Sequence, residues 1–155
     1  MLKWIRSLFK VPQPAGPPQE LRGFIVLDPT ITKETVLVEG DAWRVKTSSD
    51  QTVRLFEIPD PDVEQCILTY RAQMKTEAII GRAYLEMWCR FPGGGEFFSK
   101  GFDNALKGTN DWTSCEIPFY LKKGQKPDLL KLNLVVEGEG SVLLRNLKVF
   151  YTPMQ

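Results

Sequence analysis

The chain predicts an all-β sandwich or barrel, and three observations carry that prediction. Beyond residue 20, apolar and polar residues alternate in short segments, the spacing that sends successive side chains to opposite faces of a strand. Turn clusters separate those segments: Pro59-Asp60-Pro61-Asp62, Pro92-Gly93-Gly94-Gly95, Lys123-Gly124-Gln125-Lys126-Pro127 and Glu137-Gly138-Glu139-Gly140. Glycine permits positive φ at such places and proline presets a turn's first dihedral. No long 3.6-residue repeat of apolar positions follows residue 20, which argues against helices in the body. At 155 residues the chain makes one domain around one core.

Residues 1–10, Met-Leu-Lys-Trp-Ile-Arg-Ser-Leu-Phe-Lys, differ from the rest. Wound at about 100° per residue, Met1, Leu2, Trp4, Ile5, Leu8 and Phe9 fall on one arc, and Lys3, Arg6, Ser7 and Lys10 fill the other. A short basic amphipathic helix is expected. Its Leu2, Lys3, Trp4, Ile5, Arg6, Leu8, Phe9 and Lys10 would meet a membrane surface or a membrane-protein complex, cations toward headgroups and aromatics at the acyl boundary. Pro12 arrives too early for a secretory signal or a spanning helix. Residues 11–20 hold four prolines and read as a semi-rigid linker, leaving 21–155 as the sandwich domain.

Within that domain the pattern places strands at 23–27, 35–39, 42–47, 52–58, 66–75, 81–91, 96–102, 113–121, 129–137 and 141–151, with at most a helical turn near 103–107. The faces of three strands are legible. Leu68, Tyr70, Ala72 and Met74 point inward and leave Arg71 and Gln73 outside; Ala83, Leu85, Met87, Cys89 and Phe91 leave Tyr84, Glu86 and Trp88 outside. In 129–137 the outward residues include Lys131 and Asn133. If these strands share one sheet, Arg71, Gln73, Tyr84, Glu86, Trp88, Lys131 and Asn133 form one polar face, the candidate ligand site. Tyr84 and Trp88, about 13 Å apart, would offer two stacking planes with a carboxylate between them.

Composition excludes several functions. Lys and Arg number 20 against 19 Asp and Glu, so no global field favours nucleic acid. The absence of histidine removes a Ser-His-Asp triad, a Cys-His pair and imidazole metal ligation. Cys66, Cys89 and Cys115 are odd in number and set among apolar neighbours, as for reduced, buried and inert thiols. Asp60, Asp62 and Glu64 have turn-capping spacing and match no calcium loop; neither metal nor cofactor is expected. Glycosidase chemistry would need Glu86 paired with Glu96, Asp111 or Glu116 at a set separation, and no other catalytic signature accompanies them. Gly93-Gly94-Gly95 lacks the Lys-Ser/Thr and helix start of a phosphate loop and reads as a hairpin tip.

The C-terminal half carries a resemblance. Gly108-Thr-Asn-Asp-Trp112-Thr before a strand, Pro118-Phe119, a Lys123-Gly124 turn, Leu130-Lys-Leu-Asn-Leu134, and the stretch from Gly138 through Arg145-Asn146 to Val149 resemble the closing strands of galactose-binding-like jelly rolls, carbohydrate-binding modules among them. Gly40-Asp-Ala-Trp43 resembles an early strand. The resemblance implies a two-sheet antiparallel jelly-roll sandwich behind the N-terminal helix, with Trp112 a lid at the core's edge rather than a ligand platform. Where such modules carry an acidic residue near a structural calcium, this chain has Arg145, which disfavours the ion. The function expected is non-catalytic binding or scaffolding, cytoplasmic and peripheral to a membrane. The alternative is a saccharide-binding module using the aromatic and polar sheet face, with a carboxylate-dependent hydrolase as a third possibility.

Overall fold

The computed structural model describes residues 13–155. The amphipathic segment 1–10 and its expected membrane- or partner-binding side chains lie outside the described residues. Among the described residues nine antiparallel strands form one hydrogen-bonded network: β1 (Gln19–Phe24), β2 (Val36–Glu39), β3 (Ala42–Thr47), β4 (Gln51–Pro59), β5 (Cys66–Phe91), β6 (Gly95–Lys100), β7 (Leu106–Leu121), β8 (Leu129–Val136) and β9 (Gly140–Pro153). A 3₁₀ turn, Phe102–Asn104, falls where the sequence allows a helical turn.

Strand β5, 26 residues long, organises the molecule. From Cys66 to Glu77 it runs between β7 and β9; from Ala83 to Phe91 it runs between β8 and β6. One strand thus feeds two layers, β2-β3-β9-β5-β7 with β1 beside the far end of β9, and β4-β8-β5-β6. The layers face each other across a common core. Tyr70 of the first donates its hydroxyl hydrogen to the Asn133 carbonyl of the second at 3.3 Å, and Phe24 stacks on Phe56 with centroids 4.2 Å apart. Leu68, Tyr70, Ala72 and Met74 oppose Leu85, Met87, Leu132 and Leu134, all fully buried, as the alternation predicts. Burial of each such aliphatic side chain stabilises the fold by about 1.5–3 kcal/mol.

The sequence reads 66–75 and 81–91 as separate strands, but backbone pairing continues through the corner between them. Ala78 takes φ +52, Ile80 N–H donates to Glu139 O at 3.0 Å, and Gly81 N–H donates to Glu137 O at 3.0 Å. A Cβ on Gly81 would collide with the Glu137 carbonyl, so the close approach requires glycine. Strand β7 begins at Leu106, earlier than the 113 expected, because Gly108-Thr-Asn-Asp, turn-like in composition, is held against β5 at Thr76 and Ile79. At the other end β1 begins at Gln19. Ala15 N–H donates to Pro153 O at 2.7 Å and Pro14 bridges Met154, so residues 13–15 of the expected linker lie along the C-terminal end of the chain. Proline is tolerated at such an edge, where its missing N–H interrupts no central ladder. The glycine run is a hairpin tip, with Gly94 N–H donating to Phe91 O at 3.0 Å and Gly93 and Gly95 at φ +67 and +81.

All three cysteines are free and buried. Burial pushes the Cys66 thiol up to about 11 and, with Cys66 nearby, the Cys89 thiol up to about 12; Cys115 is raised for the same reason. Between the unfolded thiol range near 9 and these values the folded chain binds more protons than the unfolded one, so stability falls as pH rises through that window. Iodoacetamide at pH 8 is expected to leave the native thiols unmodified and to label all three in denaturant, by mass spectrometry. A rapidly labelled native cysteine would contradict this placement.

Candidate functional site

The outer face of the β4-β8-β5-β6 layer is built in rows. From β5, Tyr84 stands opposite Val135, Glu86 opposite Asn133 and Trp88 opposite Lys131. On the other side β6 sets Lys100 opposite Glu86 and Phe98 opposite Trp88, while β4 sets Arg54 opposite Asn133. Tyr84, Glu86, Trp88, Lys131 and Asn133 therefore meet on one face. Arg71 and Gln73 do not: they lie on the half of β5 that belongs to the other layer, Arg71 3.7 Å from Glu116 and Gln73 hydrogen-bonded to Arg145 and Asn146. Parity assigns a residue's face but not its layer, and β5 changes layers between the two sets.

Glu86 is the centre of the face. Its side chain is only 7% exposed. Trp88 Nε1–H donates to Glu86 Oε1 at 2.9 Å and Asn133 Nδ2 donates to the same oxygen at 2.8 Å. Lys100 Nζ approaches Oε2 at 3.6 Å. A buried carboxylate is tolerated only when paired and hydrogen-bonded, and here the pairing fixes the indole plane of Trp88. The Trp88 ring, half-buried, tilts against Phe98 with centroids 5.1 Å apart. Lys131 Nζ is drawn 2.7 Å from Glu96.

Tyr84 does not supply the free second plane that the sequence suggests. It is 5% exposed, edge-on to Phe102 at 4.9 Å, with the Arg82 guanidinium 5.3 Å from its ring centroid. Burial, with Glu137 nearby, raises its phenol above the ordinary range. The exposed ring surface comes instead from Phe98, 52% exposed, and Phe102, 47% exposed. Sequence reasoning missed both, although Glu96, Phe98 and Lys100 alternate on the outward face of β6 and Phe102 continues that parity. The face thus presents two aromatic pairs, Tyr84/Phe102 and Trp88/Phe98, on either side of the Glu86-Asn133-Lys100 row. Flat rings beside fixed donors and acceptors suit a ligand with apolar ring faces and polar edges.

Other candidates separate. Asp111 and Glu116 sit on β7 in the opposite layer from Glu86, and Glu96 is engaged by Lys131. Glu64 accepts the Gly124 N–H at 2.8 Å and Asp62 lies 3.5 Å from Lys126, loop ties of the kind the spacing predicts. Among the described residues no group of three His, Cys, Asp or Glu side chains is placed to hold a metal. Trp112 lies at an irregularity of β7 between Asn110 and Thr113 and points outward, half-buried, with the Arg145 guanidinium 3.9 Å from its ring centroid, instead of closing the core's edge.

No protein-family model and no curated protein matches this chain. Solved structures do match it in fold. The CBM22-1 xylan-binding domain of Paenibacillus barcinonensis Xyn10C matches with a TM-score of 0.52 at 12% identity, covering 90% of this chain and 98% of that one. The family 30 carbohydrate-binding module of a Clostridium thermocellum cellulosomal cellulase, Cel9D-Cel44B, matches with a TM-score of 0.50 at 15% identity, covering 90% and 92%. The CBM22-1-GH10 modules of a Clostridium thermocellum xylanase, complexed with xylohexaose, match at 0.50 and 10% identity; 88% of this chain is covered but 25% of that one. The chain has the all-β sandwich fold of carbohydrate-binding modules. At these identities the likeness is one of fold.

Proposed function

We propose that this chain is a non-catalytic saccharide-binding module whose ligand lies across the outer face of the β4-β8-β5-β6 layer. The observation that carries the reading is the Glu86 cluster: a buried carboxylate pins the Trp88 indole at 2.9 Å, and the half-exposed Phe98 ring stands against it. Sugar rings stack their C–H faces on aromatic planes and offer hydroxyls at their edges, which the partly exposed ammonium groups of Lys100 and Lys131 would meet. The fold shared with carbohydrate-binding modules supports the same reading. Glu86, saturated by its own neighbours, acts as a positioning residue and not as an acid or base.

A glycan array probed with the wild-type chain and Trp88→Ala tests the proposal. Signal on neutral oligosaccharides is expected for the wild type, reduced about tenfold or more in Trp88→Ala, as for loss of a central aromatic anchor. A blank array for both proteins would remove it.

A further inference from the structure

The outer face of the other layer carries a second built site around Arg145. Between the pairs Gln73–Arg145 and Arg71–Lys148, β5 contributes Ala72 alone and β9 contributes Asn146 and Leu147, so β9 is bulged. Asn146 takes φ +52, the left-handed region that L-residues other than glycine adopt at a cost. Leu144 and Leu147 both remain fully buried, so the bulge turns two consecutive side chains, Arg145 and Asn146, outward together. Both converge on one acceptor: Arg145 Nε and Asn146 Nδ2 each donate to Gln73 Oε1 at 2.8 Å.

The guanidinium is held from below as well, 3.9 Å from the Trp112 ring centroid. Its neighbour Arg71 differs, lying 3.7 Å from Glu116. Among the described residues no carboxylate is within ion-pairing distance of Arg145, nor of Lys75, two residues from Gln73 on the same strand face. With Nε committed to Gln73, the two terminal amino groups of Arg145 are left as a fixed fork over an aromatic bed. Such a fork matches the two coplanar oxygens of a carboxylate, and its rigidity lowers the ordering cost of binding.

We propose that the Arg145-Trp112-Gln73-Asn146 cradle binds the carboxylate of an acidic saccharide, a uronate residue, on the face opposite Trp88. The sugar part of this assignment rests on the saccharide-binding reading above; the carboxylate part rests on the stacked guanidinium, which has no carboxylate partner among the described residues.

Calorimetric titration of the full chain with trigalacturonate, its methyl ester and a neutral xylohexaose tests it. The acid is expected to bind at least about tenfold more tightly than the ester, with affinity falling as salt rises. Arg145→Gln is expected to bring the acid down to the level of the ester while leaving the hexaose titration and the thermal midpoint unchanged. Arg145→Lys, which keeps charge but loses the fork, is expected to fall between. Equal binding of acid and ester, or an Arg145→Gln titration equal to wild type, overturns the carboxylate site alone if the hexaose still binds through Trp88. Absence of binding by all three probes overturns this site and the saccharide reading together. Should Arg145→Gln melt early, Trp112→Leu, which removes the stacking bed but not the charge, serves in its place, and undiminished preference for the acid in that variant contradicts the cradle.

Discussion

Gly81→Ala is expected to destabilise the chain by about 3 kcal/mol or more, the range for a backbone clash that the surroundings have no room to absorb. The added Cβ meets the Glu137 carbonyl, the same oxygen that accepts the Gly81 N–H at 3.0 Å. Relief requires that hydrogen bond to open, and with it the corner through which β5 passes from one layer to the other. Gly94→Ala is a suitable comparison. At the hairpin tip the new methyl comes nearest the Phe91 Cβ, at 3.3 Å, with backbone oxygens no closer than 4.0 Å, and an effect within about 1 kcal/mol is expected. Chemical denaturation of both variants with unchanged slope measures the difference. Equal midpoints would show that the corner carries no special constraint.

Removing the carboxylate of Glu86 is the second large effect. Glu86→Ala leaves the buried Asn133 amide and the Trp88 indole N–H without their acceptor, so a loss of roughly 2–3 kcal/mol in stability is expected from the stranded donors. Glu86→Gln keeps an acceptor oxygen in the same place and is expected to lose less than about half of that. On the proposed reading, in which the carboxylate holds Trp88 and does not touch the ligand, saccharide affinity should follow the same order. If Glu86→Gln abolishes binding while its melting point matches wild type, the residue contacts ligand directly and its assigned role is wrong.

How far the sequence reached depends on which interaction decided each feature. Side-chain parity is local, so the inward sets around Tyr70 and Leu85 were legible from alternation alone. The turn chemistry of Gly93-Gly94-Gly95 was legible for the same reason. Partner layer is not local. Arg71 and Trp88 lie on one strand and each points outward from its own segment, yet the corner at 78–82, marked by Ala78 in a left-handed conformation and by Gly81, sends them to opposite faces of the molecule. The start of β7 was hidden by composition, since Gly108-Thr-Asn-Asp reads as a turn until Thr76 supplies a hydrogen-bond acceptor to Asn110 at 3.1 Å. At the candidate site the sequence points to Tyr84, although Phe102 covers it and carries the exposed surface. Nothing in a period-two pattern says which of two neighbouring aromatics will cap the other. Trp112 points outward because Arg145, aimed by a bulge that alternation does not foresee, gives the ring something to pack against.

The central claim, that a saccharide lies across the Trp88 face, is tested most directly by following indole N–H resonances in a ¹⁵N–¹H correlation spectrum during titration with a neutral oligosaccharide that the array identifies. The Trp88 signal, assigned through Trp88→Phe, should shift progressively to saturation, since on this account its hydrogen bond to Glu86 would lie beneath the ligand. The Trp43 signal, from the core, should stay still, and so should that of Trp112 on the opposite layer. Saturable binding with an unmoved Trp88 resonance would contradict the account and place the ligand elsewhere on the sandwich.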